Sequence, residues 1–169
     1  MKKLLFGLLA IGLTSPAFSQ VIKTEELSEV TVTATNYKYL NNIASEEPAA
    51  IPVELLERKA ASFDPRDSEY YQDDFDLYNI SFYIPEGKIL AAYDGNGKIL
   101  RTIERYKDIN VPSAVKKAIL ERFPKWKMTK NIYVVNYRDA EGAKKKYTIT
   151  LENGKETVKV KTDENGNFL

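Results

Sequence analysis

Hydrophobic and polar side chains alternate with a period of two over much of this chain. Tyr78, Ile80, Phe82 and Ile84 are interleaved with Asn79, Ser81 and Tyr83, which predicts a strand with one buried face. Pro85-Glu86-Gly87-Lys88 reads as a turn, and Ile89 to Tyr93 as a second strand. Asp94-Gly95-Asn96-Gly97 reads as a hairpin turn, because Gly and Asn supply the positive φ that such turns need. Lys98 to Tyr106 follows as a third strand. The same reading gives strands at Ile132 to Arg138, Lys145 to Leu151 and Thr157 to Thr162, and a short terminal strand ending at Phe168 and Leu169. The turns between them lie at Asp139 to Gly142, Glu152 to Lys155 and Asp163 to Gly166.

Two stretches switch to helical spacing. Pro52 stands at a first-turn position, where its missing N–H costs nothing. Val53, Leu56 and Ala60, with Leu55 beside them, make the apolar stripe, and Asp64-Pro65 stops it. Val111-Pro112 opens the second helix. Ala114, Val115, Ala118, Ile119 and Phe123 are its apolar side, Lys116, Lys117, Glu121 and Arg122 its wet side, and Pro124 its end.

Helix, strand, turn, strand, turn, strand thus occurs twice. Gly87-Lys88 matches Gly154-Lys155, and Asp94-Gly-Asn-Gly-Lys-Ile-Leu100 matches Asp163-Glu-Asn-Gly-Asn-Phe-Leu169. The pattern predicts an α+β fold of two helix-plus-antiparallel-meander repeats, at 49–110 and 111–169, with the helices on one face of the sheet. Convergence of Asn-Gly turns is the alternative to duplication.

The N-terminus reads differently. Lys2 and Lys3, the apolar run Leu4 to Leu13, and small Ala17 and Ser19 before Gln20 form a secretory signal peptide over residues 1–19. That run is about half of the roughly 20 residues a spanning helix needs. A membrane anchor is the alternative reading. Residues 20–48 form a polar leader, with a short strand at Glu29 to Thr35 and an irregular stretch from Asn36 to Pro48. The expectation is an exported chain, periplasmic or extracellular, without a transmembrane segment after cleavage.

Composition narrows the chemistry. Of 169 residues none is Cys and none is His. Disulfides, thiolate catalysis and Cys metal sites are therefore excluded, and the commonest general base is missing. The whole chain carries 25 basic and 24 acidic residues. Loss of Lys2 and Lys3 leaves a net charge of about −1, which in sum offers no basic footprint for nucleic acid.

The second half resembles the PepSY-like, β-lactamase-inhibitor-protein-like family of small exported bacterial proteins. The segments that carry the resemblance are Val111-Pro-Ser-Ala-Val-Lys-Lys-Ala118, Phe123-Pro-Lys-Trp126, Tyr147-Thr-Ile-Thr-Leu-Glu-Asn-Gly154 and Val160-Lys-Thr-Asp-Glu-Asn-Gly166. It covers roughly Ile80 to Leu169. The first half fits more loosely, since its helix lacks the aromatic–proline stop. The resemblance implies an α+β fold, an exported location and protein binding or protease inhibition, with no established catalytic residues. The signal peptide and Asn36-Tyr37-Lys38-Tyr39-Leu40 resemble chains of Bacteroidetes-type bacteria, and Leu27 to Thr35 looks like the start of TonB-dependent outer-membrane proteins. An adenylyltransferase or hydrolase role is disfavoured by the absence of His, Cys and any phosphate loop.

Four constellations remain. Tyr83, Trp126, Tyr133 and Tyr137 are the expected binding surface for a protein or peptide, because Tyr and Trp give large contacts at low entropy cost. Packing of the same tyrosines against the helices is the alternative. Asp73, Asp74 and Asp76, in the acidic Tyr70–Asp76 loop, are the alternative site for calcium or a small ligand, although their spacing fits no calcium loop. The two Asp-x-Asn-Gly segments are explained by turns. Lys144-Lys145-Lys146 reads as protection of a strand edge, with contact to an anionic partner or a lipid head group as the alternative. No cofactor is expected.

Overall fold

The computed structural model describes residues 36–47 and 50–169. The signal peptide and the predicted strand Glu29–Thr35 lie outside the described residues. Within them the chain runs α1 (Tyr37–Ile43), α2 (Ile51–Ser62), β1 (Leu77–Ile84), β2 (Gly87–Asp94), β3 (Ile99–Lys107), α3 (Ser113–Arg122), β4 (Lys127–Arg138), β5 (Gly142–Asn153) and β6 (Glu156–Thr162). The strands form one six-stranded sheet in chain order, and every pair is antiparallel. The helices pack on one face of it, so the fold is the α+β arrangement expected from the sequence. None of the helices described is long and apolar enough to cross a membrane.

The order helix, strand, strand, strand does occur twice. The matched turns agree down to their hydrogen bonds. Asp94 Oδ1 accepts from the N–H groups of Asn96 and Lys98, both at 2.9 Å, and Asp163 Oδ1 accepts from those of Asn165 and Asn167, also at 2.9 Å. In each turn the Asp carbonyl also accepts from the glycine N–H, Gly97 or Gly166. These carboxylates are occupied by their own turns, as the sequence implied. Matched by turns, however, β2 corresponds to β6, whereas matched by helix-and-strand order it corresponds to β5.

The stretch from Asn36 was expected to be irregular and instead contains α1. The reason is tertiary. Tyr39 and Ile43, four residues apart, bury almost completely on the sheet. Asn36 is buried ahead of them. Its Nδ2 donates to the carbonyls of Ala61 and Gly97, and its Oδ1 accepts from Ile99 N at 2.7 Å. Lys38 and Lys98 both reach Asp139, at 2.9 and 2.7 Å, and hold its carboxyl down at about 2. Further on, both carboxylate oxygens of Glu47 accept from Ser113 N, at the start of α3. Residues 36–47 therefore strap the two halves together.

A bulge settles the phase of β3. Tyr93 pairs with Ile99 while Ala92 pairs with Arg101, so Leu100 is the extra residue. Beyond it Thr102, Glu104 and Tyr106 point toward the helices, and Arg101, Ile103, Arg105 and Lys107 point away. A polar pair thereby enters the core and an isoleucine leaves it.

Candidate functional site: two faces of one sheet

The helix-covered face is built around tyrosine and a pair of carboxyl groups. Glu104 is fully buried at the middle of β3. It accepts hydrogen bonds from Tyr39 Oη of α1 at 2.8 Å, Thr102 Oγ1 at 2.7 Å and Tyr106 Oη at 3.0 Å. Glu57, buried on α2, faces the same group. Burial raises both carboxyls, and Glu57, beside a second acid with fewer donors of its own, is pushed up to about 9. One carboxyl thus keeps its proton at neutral pH. Rings of Tyr106, Tyr133 and Tyr147 stack in sequence beside this pair, with centroids at 6.0 and 4.6 Å. Burial lifts these phenols, so they stay neutral donors. Lys145 also points inward from β5. Its ammonium contacts Ala44 O, Ser45 Oγ and Glu164 Oε2 at 2.7 to 2.9 Å. A groove of about 340 Å³ between α1 and α2 reaches Glu57 from outside.

This architecture corrects the expected aromatic surface. Tyr133 and Tyr137 are buried, at 3% and 1% exposure, while Tyr83 is 69% exposed on the opposite side of the sheet. Trp126 is half-buried against Phe123, ahead of β4. The four residues do not share a surface. On β4 the aliphatic Ile132 and Val134 face outward with Asn136, and the tyrosines face inward with Val135. Phenol rings win the interior there because their hydroxyls have work inside: Tyr137 packs edge-on against Tyr39 and reaches Asp139.

The acidic loop is also dispersed. Asp73, Asp74 and Asp76 are all exposed, and no group of three or more acidic side chains among the described residues is arranged to hold a metal ion. The lysine run is reassigned too. β5 lies inside the sheet, between β4 and β6, so Lys144–Lys146 do not guard an edge. Lys145 is an interior strut, and Lys144 and Lys146 belong to the outer face.

That outer face carries no helix, and the strand registers place its residues in rows. The central row is Ser81, Leu90, Ile103, Asn136 and Lys144. Beside it runs Tyr83, Lys88, Arg105, Val134 and Lys146. On its other side Ala92 is followed by Arg101 and Arg138. A further row holds Lys107, Ile132, Thr148 and Lys161. Leu90 and Ile103 are directly opposed and 40% and 49% exposed, so they form an open aliphatic seam. Basic residues flank the seam along the strands, Lys88 and Arg105 on one side and Arg101 on the other, while Ser81 and Asn136 lie beside it across the sheet. At its outward strand positions the carboxylates are Asp94, consumed by its turn, and Glu152 at the far end of β5, and Glu141 in the β4–β5 turn lies against Arg138 and Lys144.

Two cross-strand pairs on this face bring like charges together: Lys88 opposite Arg105, and Arg101 opposite Arg138. Directly opposed like charges destabilise a sheet. Arg138 and Lys144 are relieved by Glu141, at 3.1 and 3.2 Å. Lys88, Arg101 and Arg105 have no ion-pair partner among the described residues. A groove of about 380 Å³ opens beside Arg101, Arg138 and Lys144. Sequence reasoning missed this face because the overall charge balances. The signal was nevertheless present in the alternation Arg101, Ile103, Arg105, Lys107.

The class the fold and site define is a helix-backed antiparallel meander with one open, basic face. No family model matches the chain, and no curated protein matches it. The PepSY-like resemblance therefore rests on the residues quoted above. Among solved structures the chain is similar to a BLIP-like protein from Bacteroides fragilis, with 20% identity and a TM-score of 0.33; the match covers 73% of this chain and 84% of that one.

Proposed function

We propose that this chain is an exported, non-catalytic binding domain that engages a protein or peptide across the open face of its sheet. The observation that carries the proposal is the half-exposed Leu90–Ile103 seam, bordered by Ser81 and Asn136 and flanked by Lys88, Arg105 and Arg101, on a face that no helix covers. An apolar centre with a polar rim is the usual anatomy of a protein interface. Export is supported by the signal-type N-terminus, and the absence of catalysis by a chain with neither His nor Cys. A protein is favoured over a nucleic acid because single-strand binders present several stacking rings, and among the outward strand positions only Tyr83 is aromatic. The test is a pull-down from native envelope extract with the Tyr83→Ser and Ile103→Ser variants, beside Leu120→Ser on α3. Loss of the captured protein with the first two and its retention with the third is the expected result. Capture unaffected by Ile103→Ser refutes the proposed surface.

A further inference from the structure

We infer that the partner of this face is an acidic polypeptide surface, one that sets carboxylates against the Lys88–Arg105 and Arg101–Arg138 pairs and apolar side chains against the seam between them. The inference rests on the reading of the open face as a binding surface and adds the chemistry of what binds.

Three observations support it. First, directly opposed like charges are a cost to the free protein, unrelieved at Lys88–Arg105 and relieved at Arg101–Arg138 only on the Arg138 side, by Glu141. One carboxylate placed between Lys88 and Arg105, and another between Arg101 and Arg138, turns both repulsions into charge-assisted hydrogen bonds. Second, the geometry suits a protein. Five inter-strand steps of about 4.8 Å and strands that average about nine residues give a face of about 24 by 31 Å, roughly 740 Å², near the ~800 Å² that each partner contributes to an interface of standard size. Third, the seam lies between the two basic pairs, so the same occupant must present apolar groups flanked by acids. A second copy of this chain is a poor occupant, because the same face on a two-fold mate brings cations against cations.

Substitution separates binding from folding here. Arg105→Glu places a carboxylate opposite Lys88, and Arg101→Glu places one opposite Arg138. The first replaces an unrelieved repulsion by an attraction, and the second adds a carboxylate to an Arg138 that Glu141 already pairs, so the double variant is expected to stay folded, with a melting point close to the parent's. The probe is fluorescently labelled poly-L-glutamate, titrated into the full chain at several salt concentrations. Binding that weakens as salt rises, and that falls at least tenfold in the folded double variant, is expected. Absent binding, or binding unchanged in the double variant, overturns the inference. So does tighter binding to phosphatidylglycerol vesicles or to a DNA duplex than to poly-L-glutamate, and so does concentration-dependent dimerisation of the chain that the double variant abolishes. In parallel, a native partner lost with Ile103→Ser but kept by the double variant rejects the acidic class alone; a partner indifferent to both rejects the face itself.

Discussion

Glu57 and Glu104 are held together in the tyrosine-lined interior, and that forces one proton to stay with them. Burial raises Glu57 from its ordinary value of 4.5 to about 9. Between those limits the folded chain holds a proton that the unfolded chain has released. This contribution to stability is therefore full below about pH 4.5 and is lost as pH rises toward 9. Thermal unfolding is expected to give a lower midpoint at pH 8.5 than at pH 5, and Glu57→Gln, neutral at both, to flatten that dependence. A variant with the parent's slope would show that the pair does not govern it. Asn36 makes a second prediction. Asn36→Ala leaves the buried Ile99 N–H and two carbonyls without their partner, and should cost about 2 kcal/mol in urea denaturation. Neither residue stood out in the sequence. Glu57 lies four residues after Val53 and four before Ala61, on the helix's buried stripe, but a carboxylate there reads as surface until its partner on β3 is known.

Among the elements, the two Asp-x-Asn-Gly turns show what was legible and what was not. Turn chemistry predicted their positions and a positive φ at Gly and Asn; Gly97 and Gly166 have it, at 79° and 86°, whereas Gly95 and the asparagines of both turns do not. What the sequence does not carry is their packing. A Cβ on Gly166 would lie 2.8 Å from Ala114 O of α3, whereas one on Gly154, at φ 61°, meets nothing within 4 Å. Gly154→Ala should therefore cost about 1 kcal/mol, from the backbone conformation alone. Gly166→Ala should cost more, roughly 2 kcal/mol or above, because helix backbone must also move. Chemical denaturation of the pair measures the difference. The antiparallel meander within each unit was readable from alternation and turns, whereas the pairing of β3 with β4 that joins the units into one sheet was not. The phase of β3 was not, because Leu100 bulges and exchanges the two faces beyond it. Helix α1 escaped for a related reason: seven mostly polar residues have little helical preference of their own and are fixed by Asn36, Tyr39 and Asp139.

On the scale of the whole molecule, a charge that sums to +1 conceals a polarised object. Cations concentrate on the open sheet face. Period-two strands make such sorting possible, since every second residue shares a side. The tyrosine count pointed to aromatics as the binding surface, and the fold instead buries most of them, with Tyr39, Tyr106, Tyr133 and Tyr147 grouped beside the carboxyl pair. What the sheet offers outward is Tyr83, the Leu90–Ile103 seam and the flanking Lys and Arg side chains. Relieving one repulsion should make the free protein more stable: Arg105→Glu, opposite Lys88, is expected to gain about 0.5 kcal/mol, read as a higher denaturation midpoint at low salt.

The most direct test of the open face is site-specific photo-crosslinking in the native envelope. A benzophenone side chain at position 103, on the seam, is compared with one at position 120, where Leu120 is 61% exposed on α3. A discrete crosslinked product from position 103 and none from position 120 is the predicted result. Products from position 120 alone, or identical products from both, would contradict the assignment of the sheet face as the binding surface.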